Sequence, residues 1–363
     1  MPRDEEGRFD DLLTSREIEQ RVTSGGLRHP AFRVVKESEK LTRADYAEDL
    51  PWSTAPFSGT ARTERIAAEF ENGATIVLQA LHLNHPPLAA FCRHLERELG
   101  HPAQANAYYT PPTAQGFKVH HDTHDVFCLQ VEGEKRWLVY PPVVPLPLKN
   151  QKYTAELGEP GDPVLDVTMR AGDTLYLPRG WLHQAMTSDT ASLHLTVGVN
   201  VATWADAVRA ALDEAAREEV DLRRGVRSDG VLPDGLLVLL AARLTPEAVT
   251  SRRRRTFVES RRPVREDVFD QLRALAELEV ETTLRRRETV IADLVVDGGD
   301  EAALVFEGKR VHFPARIADE LAFLLTVDGP FRLADVPGSL DEEGRLVLGR
   351  KLVREGFLQI SPD

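Results

Sequence analysis

Between Ala105 and Val199 the chain is cut into short runs of strand-forming residues, and that punctuation restricts it to a closed β architecture. The runs are 105–109, 117–122, 126–131, 135–140, 174–177 and 192–199. Glu132-Gly133-Glu134 reads as a hairpin between two of them, and Ala171-Gly172-Asp173 as a turn. In the last run Ser192, His194, Thr196 and Gly198 alternate with Leu193, Leu195, Val197 and Val199, which gives one polar and one apolar face. Strands this short and this numerous are expected to close as a double-sheet jelly roll, which hides its edges and can hold a site in its mouth.

Candidate ligands fall inside those runs. On a strand, residues two apart share a side, so His120 and Asp122 can reach one metal ion while His121 points away. Asp122-x-His124 satisfies the same spacing, and spacing alone leaves both registers open. His183 follows the strand 174–177 and a Pro-Arg-Gly turn that can aim it back at His120 and Asp122. Two imidazoles and one carboxylate on one face of an octahedron leave three positions for other ligands, the arrangement of non-haem iron(II) oxygenases.

The surrounding text resembles the JmjC-type cupin oxygenases, specifically the ribosomal-oxygenase branch. The resemblance is carried by His120-x-Asp122, Phe127-x-Leu129-Gln130, Gly133-x-Lys135-x-Trp137, the run from Gly172-Asp173 through Pro178-Arg179-Gly180 to His183, and Ser192-x-His194-x-Thr196. It is specific between about Asn106 and Thr196. It implies an α+β chain: a double-stranded β-helix (jelly-roll, cupin) catalytic domain over 1–202, a helical dimerisation domain over 203–288 and a winged-helix-like domain over 289–363. It selects His120, Asp122 and His183 as the catalytic iron ligands, because the family sets the first histidine four residues after Gly116 and Phe127 seven residues beyond it. His121 departs from the family, which places an aromatic residue there. The resemblance further implies Fe(II), dioxygen and 2-oxoglutarate, with Lys135 on the distal carboxylate and Asn106, Tyr108 and Thr196 lining the same pocket. Read alone, Lys135 is an exposed hairpin lysine, and His194 is equally a support for the site or a hydrogen-bonded core histidine.

The implied activity is a protein hydroxylase acting on an arginine or histidine side chain, with a ribosomal protein as the expected substrate. A hydroxylase of a small molecule or natural-product peptide, and a cupin scaffold without catalysis, are the alternatives.

Outside the strands the sequence is mostly helical. Thr14-x-x-Glu17 is a capping box for a helix near 9–22, and residues 30–60, including Leu50-Pro51-Trp52, read as extended chain and turns. A β-rich run at 75–83 is stopped by Pro86-Pro87. These prolines open a helix with Leu88, Phe91, Cys92, Leu95 and Leu99 on one face and Gly100 at its end. Beyond Thr203 come helices at about 203–215, 236–244, 246 onward and 264–278. Their apolar residues, among them Trp204, Val208, Leu212, Phe269, Leu272 and Leu275, exceed what a small helical segment can bury, so a homodimer is expected unless they pack on the barrel. The end of the chain reads as strands from about 289, helices at 315–326 and 341–355, and a strand at 357–360.

Charge narrows the partners. The chain carries a net charge of −13, and residues 290–363 hold 14 acids against 8 bases, so no DNA binding is expected of a winged helix there. The run Arg252-Arg253-Arg254-Arg255, with Arg261 and Arg262, is either a solvated face offset by the acidic helix near 213–221 or a contact for ribosomal RNA. Cys92 and Cys128 read as reduced core thiols rather than a disulfide. No run is long and apolar enough for a membrane span, and a cytoplasmic protein is expected.

Overall fold

The computed structural model describes residues 7–361 apart from 25, 38, 39, 51–56, 227, 229, 233 and 297. Two compact units, Met1–Val201 and Ala202–Asp363, divide the chain. No helix of the described residues is long and apolar enough to cross a membrane.

The first unit opens with α1 (Ser15–Thr23). Its capping box forms as expected: the Thr14 hydroxyl accepts from the Glu17 amide, and the Glu17 carboxylate accepts from Thr14 N–H at 2.8 Å. The described residues between 30 and 60 hold more regular secondary structure than expected. They hold β1 (Phe32–Val35), the single-turn α2 (Arg43–Tyr46), β2 (Ala47–Leu50) and β3 (Phe57–Ala61), with β2 and β3 paired. Pro51 and Trp52 lie outside the described residues. An unforeseen helix, α3 (Thr63–Glu71), buries Ile66 ahead of β4 (Thr75–Leu78).

Helix α4 (Pro86–Leu99) starts on proline and ends on Gly100 at φ 63°. Leu88 and Cys92 are buried as the stripe requires, each apolar side chain of Leu88's size contributing roughly 1.5–3 kcal/mol. Leu99 is 40% exposed and does not join that face. Polar groups bind the helix instead: Arg93 and Glu96 form a buried ion pair at 2.9 Å, and Glu96 accepts from the Ala103 amide at 2.9 Å.

The barrel comprises β5 (Ala103–Thr110), β6 (Asp125–Glu132), β7 (Glu134–Tyr140), β8 (Leu165–Arg170), β9 (Thr174–Leu177), β10 (Leu182–Met186) and β11 (Ser192–Val199) together with β1 and β4. One sheet runs β1-β4-β5-β11-β6-β9 and the other β10-β7-β8. Glu132-Gly133-Glu134 is therefore a corner between two sheets, not a hairpin: β6 pairs with β9 and β11, and β7 with β8 and β10. Gly133 takes φ 65°, and a Cβ there would stand 2.0 Å from the Ala191 carbonyl oxygen. The expected strand 117–122 is also absent. That segment leaves the sheet and touches it through one antiparallel bridge, His120 to His183.

Large residues on the outer face of the first sheet, among them Leu129, Leu193, Leu195 and Val197, pack with Leu13, Ile18, Leu88 and Cys92 into the main core. The opposite face looks into the barrel. Cys92 and Cys128 are both free and buried.

The second unit begins with α5 (Trp204–Glu218), capped by Thr203 and Asp206, then α6 (Leu236–Arg243) and α7 (Pro246–Glu259), capped by Thr245. Helix α8 (Val268–Ala274) is shorter than the expected 264–278. The remainder holds β12 (Thr283–Arg286), β13 (Ala292–Val296), β14 (Glu301–Phe306), β15 (Lys309–Pro314), α9 (Ala318–Thr326), β16 (Pro330–Arg332), α10 (Glu342–Glu355) and β17 (Leu358–Ile360). The strands form sheets β16-β12-β17 and β13-β14-β15. Leu275 and Leu278 are buried in the core of this half. Trp204, Val208, Leu212, Phe269 and Leu272 remain exposed, Trp204 at 73% and Phe269 at 75%. The arginine run is held by acids of this unit: Arg252 and Arg255 meet Glu214, and Arg254 meets Asp293 at 2.8 Å. An RNA contact through it would have to displace these pairs.

Candidate metal centre

The mutual bridge between the two histidine segments builds the site. His120 N–H donates to the His183 carbonyl at 3.1 Å, and His183 N–H returns the bond to His120 at 2.8 Å. The Pro-Arg-Gly turn is pinned beside them, with Gly180 N–H donating to the Asp122 carbonyl at 3.0 Å and Arg179 N–H to the Asp125 carboxylate at 3.0 Å. The Pro-Arg-Gly turn aims His183 as expected, and the place of Asp122 is fixed by the turn's backbone bond and not by a strand.

Ligand atoms of His120, Asp122 and His183 all lie within 4.8 Å of one another. The Nδ1 atoms of His120 and His183 sit 2.8 and 3.1 Å from the carbonyl oxygens of Lys118 and Trp181. Those oxygens only accept, so each Nδ1 carries a proton and Nε2 is the atom left to face a metal. Burial and the neighbouring His120 push the His183 imidazole down to about 4, which keeps it neutral. A two-imidazole, one-carboxylate donor set with both rings fixed by backbone acceptors fits a divalent iron ion.

His121 and His124 stay outside the cluster. His121 is buried facing away, its Nε2 donating to the Gln151 carbonyl at 2.9 Å, so it ties down the proline-rich segment after β7. The His124 ring packs over Gly198, where a Cβ would come within 2.9 Å of it. The structure thereby brings together the first of the two registers left open by spacing.

A cavity of about 170 Å³ adjoins the cluster, and Tyr108, Lys135 and Thr196 line it. Lys135 is 4% exposed, not a surface hairpin residue, and its Nζ donates to the Thr110 hydroxyl at 2.8 Å. Thr110 in turn accepts from Thr75 at 3.1 Å. Burial pulls the Lys135 ammonium down to about 7. Asn106 is placed differently: its side chain accepts from the Ala80 amide at 2.9 Å and is not part of the cavity wall.

His194 lines the cavity, stacked on Tyr108 with ring centroids 4.9 Å apart and edge-on to Trp137 at 5.4 Å. Burial, then the charge of Lys135, holds it well below the usual histidine range, and its buried Nδ1 has no hydrogen-bond partner among the described residues. It belongs to the site and is not a satisfied core histidine. Gln130 serves the fold, donating to the Ser192 hydroxyl at 2.8 Å. Sequence reasoning missed Arg33, which also lines the cavity. Its signal was a single cation in the otherwise apolar run Phe32–Val35.

Fold and site define a JmjC-type cupin domain. Residues 80–207 match the JmjC domain family. The chain is 31% identical over 223 residues to a protein of Drosophila persimilis named bifunctional lysine-specific demethylase and histidyl-hydroxylase NO66, the match covering 57% of this chain and 32% of that one. It is 30% identical over 324 residues to ribosomal oxygenase 1 of Bos taurus, covering 74% of this chain and 48% of the relative. The chain thus spans less than half the length of either. Among solved structures, Escherichia coli ribosomal oxygenase YcfD in complex with cobalt and 2-oxoglutarate has the same fold, with a TM-score of 0.56 at 18% identity over 96% of this chain and 91% of that one. Over residues 80–207 the chain is a JmjC domain, similar to those of proteins named ribosomal oxygenases.

Proposed function

We propose that this chain is an Fe(II)- and 2-oxoglutarate-dependent oxygenase that hydroxylates an arginine or histidine side chain of a protein, with a ribosomal protein as the substrate class. The observation that carries this reading is the placement of a buried lysine in the same cavity as a His-Asp-His cluster. When bound, iron and 2-oxoglutarate supply the activation of dioxygen, with succinate and carbon dioxide as co-products. His120, Asp122 and His183 would hold the metal. Lys135 would meet the distal carboxylate, and the hydroxyls of Thr110, Tyr108 and Thr196 would complete its hydrogen bonds. Trp137, Tyr108 and Phe117 add aromatic surface to the cavity wall.

Exposed Trp204, Leu237, Val238 and Phe269 support a homodimer built on the helical segment 203–288, beside a winged-helix-like 289–363. A ribosomal substrate would place the reaction in the cytoplasm. The test is succinate formation by iron-loaded protein, joined to mass spectrometry of ribosomal proteins from cells with and without the gene. A ribosomal peptide gaining one oxygen only when the gene is present supports the reading. Succinate formation without such a peptide moves the substrate to another class, and absence of any turnover with iron bound leaves a scaffold.

A further inference from the structure

Arg33 lines the pocket, which also holds Asp122, yet makes no ion pair among the described residues. It lies opposite Val77, Val77 lies opposite Tyr108, and Tyr108 opposite His194. Residues facing each other across neighbouring strands point to the same side of a sheet. Arg33 therefore ends an inward-facing row that begins at the site. Its Nε is shut off from solvent and meets no acceptor, and none of the ion pairs among the described residues includes it. The guanidinium rests over the Phe117 ring, 5.3 Å from its centroid, and Phe117 is 5.7 Å from the His120 ring. A guanidinium keeps its proton at any working pH, so it cannot escape the cost of partial burial by becoming neutral.

Lys135 occupies a different place in the same cavity, bonded to Thr110. One cation is thus tied to the His120 side and one to the Thr110 side of a space that also holds the three metal-ligand candidates. That pattern suits a dicarboxylate whose one end chelates a metal. A carboxylate that gives one oxygen to a metal keeps lone pairs for two more donors, and the guanidinium fork supplies them.

We propose that Arg33 is a co-substrate-binding residue that grips the carboxylate at the 2-oxo acid end of 2-oxoglutarate, leaving the distal carboxylate to Lys135. The assignment rests on the reading of this pocket as the 2-oxoglutarate site.

The experiment is calorimetric titration of Mn(II)-loaded protein, without turnover, using two ligands. 2-Oxoglutarate carries both carboxylates, and 2-oxobutyrate carries only the one beside the keto group. Arg33→Met should weaken both ligands about equally, tenfold or more, because it removes a charged donor from the end they share. Lys135→Met should weaken 2-oxoglutarate alone. Arg33→Lys should recover part of the loss for both, and Arg33→Gln, which keeps a polar stem, serves where the methionine variant does not fold. Loss of 2-oxoglutarate binding with unchanged 2-oxobutyrate binding would put Arg33 on the distal carboxylate and overturn the assignment, as would no change in either. A wild-type protein that holds Mn(II) but binds neither ligand would overturn the reading of the pocket itself.

Discussion

Replacing Lys135 by methionine should stabilise the protein free of co-substrate while destroying its affinity for 2-oxoglutarate. The lysine is buried, and burial lowers it from its ordinary 10.5 to about 7. At roughly 1.36 kcal/mol per tenfold change in proton activity, that displacement corresponds to about 4–5 kcal/mol at pH 7, an upper figure for a buried cation. Losing the Nζ bond to Thr110 gives back about 1 kcal/mol. Methionine fills much of the volume of the lysine stem. A net gain of about 2–4 kcal/mol is expected, or on the order of 5–10 °C in Tm for a domain of this size.

The sign follows from linkage. Between about 7 and 10.5 the unfolded chain holds a proton on Lys135 that the folded chain has released, so stability of the wild type rises with pH across that window. The penalty is full below about 7 and gone near 10.5. Cys128 and His194 are the titratable groups that act on Lys135, and burial pushes the thiol up and the imidazole down, so neither becomes charged in between. The difference between wild type and variant in thermal melts should therefore be greatest at pH 7 and vanish towards pH 10. Adding 2-oxoglutarate to the Mn(II)-loaded proteins should raise Tm further for the wild type and far less for the variant, since an unpaired buried carboxylate costs about 2–5 kcal/mol. An apo variant less stable than wild type throughout this range would show that Lys135 is hydrated, and the reasoning would fail.

Other outcomes can be checked directly. His120→Ala and Asp122→Ala should each abolish iron binding measured by metal analysis, whereas His121→Ala should retain the metal and instead increase proteolytic cutting near Gln151, whose carbonyl it binds. Gly133→Ala should cost more than about 2 kcal/mol in chemical denaturation, because the left-handed backbone and the Ala191 oxygen both oppose a Cβ. In light scattering, a mass twice 40.5 kDa that falls on Phe269→Glu with Leu272→Glu, at constant helical signal, would support the dimer, and a mass of 40.5 kDa in the wild type at every concentration would refute it. Leu275 is unsuited to that test because it is buried in its own core.

Local signals located most elements but not their partners. Thr14, Thr203 and Thr245 marked helix starts because a side-chain cap is a contact within four residues. Gly133 was just as visible, yet a glycine at positive φ serves a hairpin and a corner equally. What separates the two is whether β7 finds β6 or finds β8 and β10, and that pairing spans up to fifty residues. Strand β8 did carry its alternation, with Val167 and Met169 buried between exposed Asp166, Thr168 and Arg170, but it lay hidden behind the proline-rich loop. The ligand cluster was legible through spacing and resemblance. The reason first given for its convergence, two residues on a strand, was not the operative one, since the His120 and His183 backbones hold each other.

The burial of Lys135 and the inward turn of Arg33 share one cause that no short window of sequence contains. Strand β11 gives its leucines and valines to the helices outside the barrel, with Leu193, Leu195 and Val197 fully buried there. The strand must then present His194 and Thr196 inward, and the pairing of β11 with β5, of β5 with β4 and of β4 with β1 carries the same inward face across to Tyr108 and Arg33. The core is thus built mainly on the outer face of this sheet, which frees the inner face for polar and charged side chains. A cation such as Lys135, costly in an apolar interior, is tolerated because that interior is a binding cavity rather than a core. The same division predicts that trimming Leu195 to alanine lowers stability by about 2–5 kcal/mol with little change in 2-oxoglutarate affinity, whereas Thr196→Val, on the other face of the same strand, does the reverse. Equal effects of the two changes on both melting and ligand titration would show that the faces are not separate.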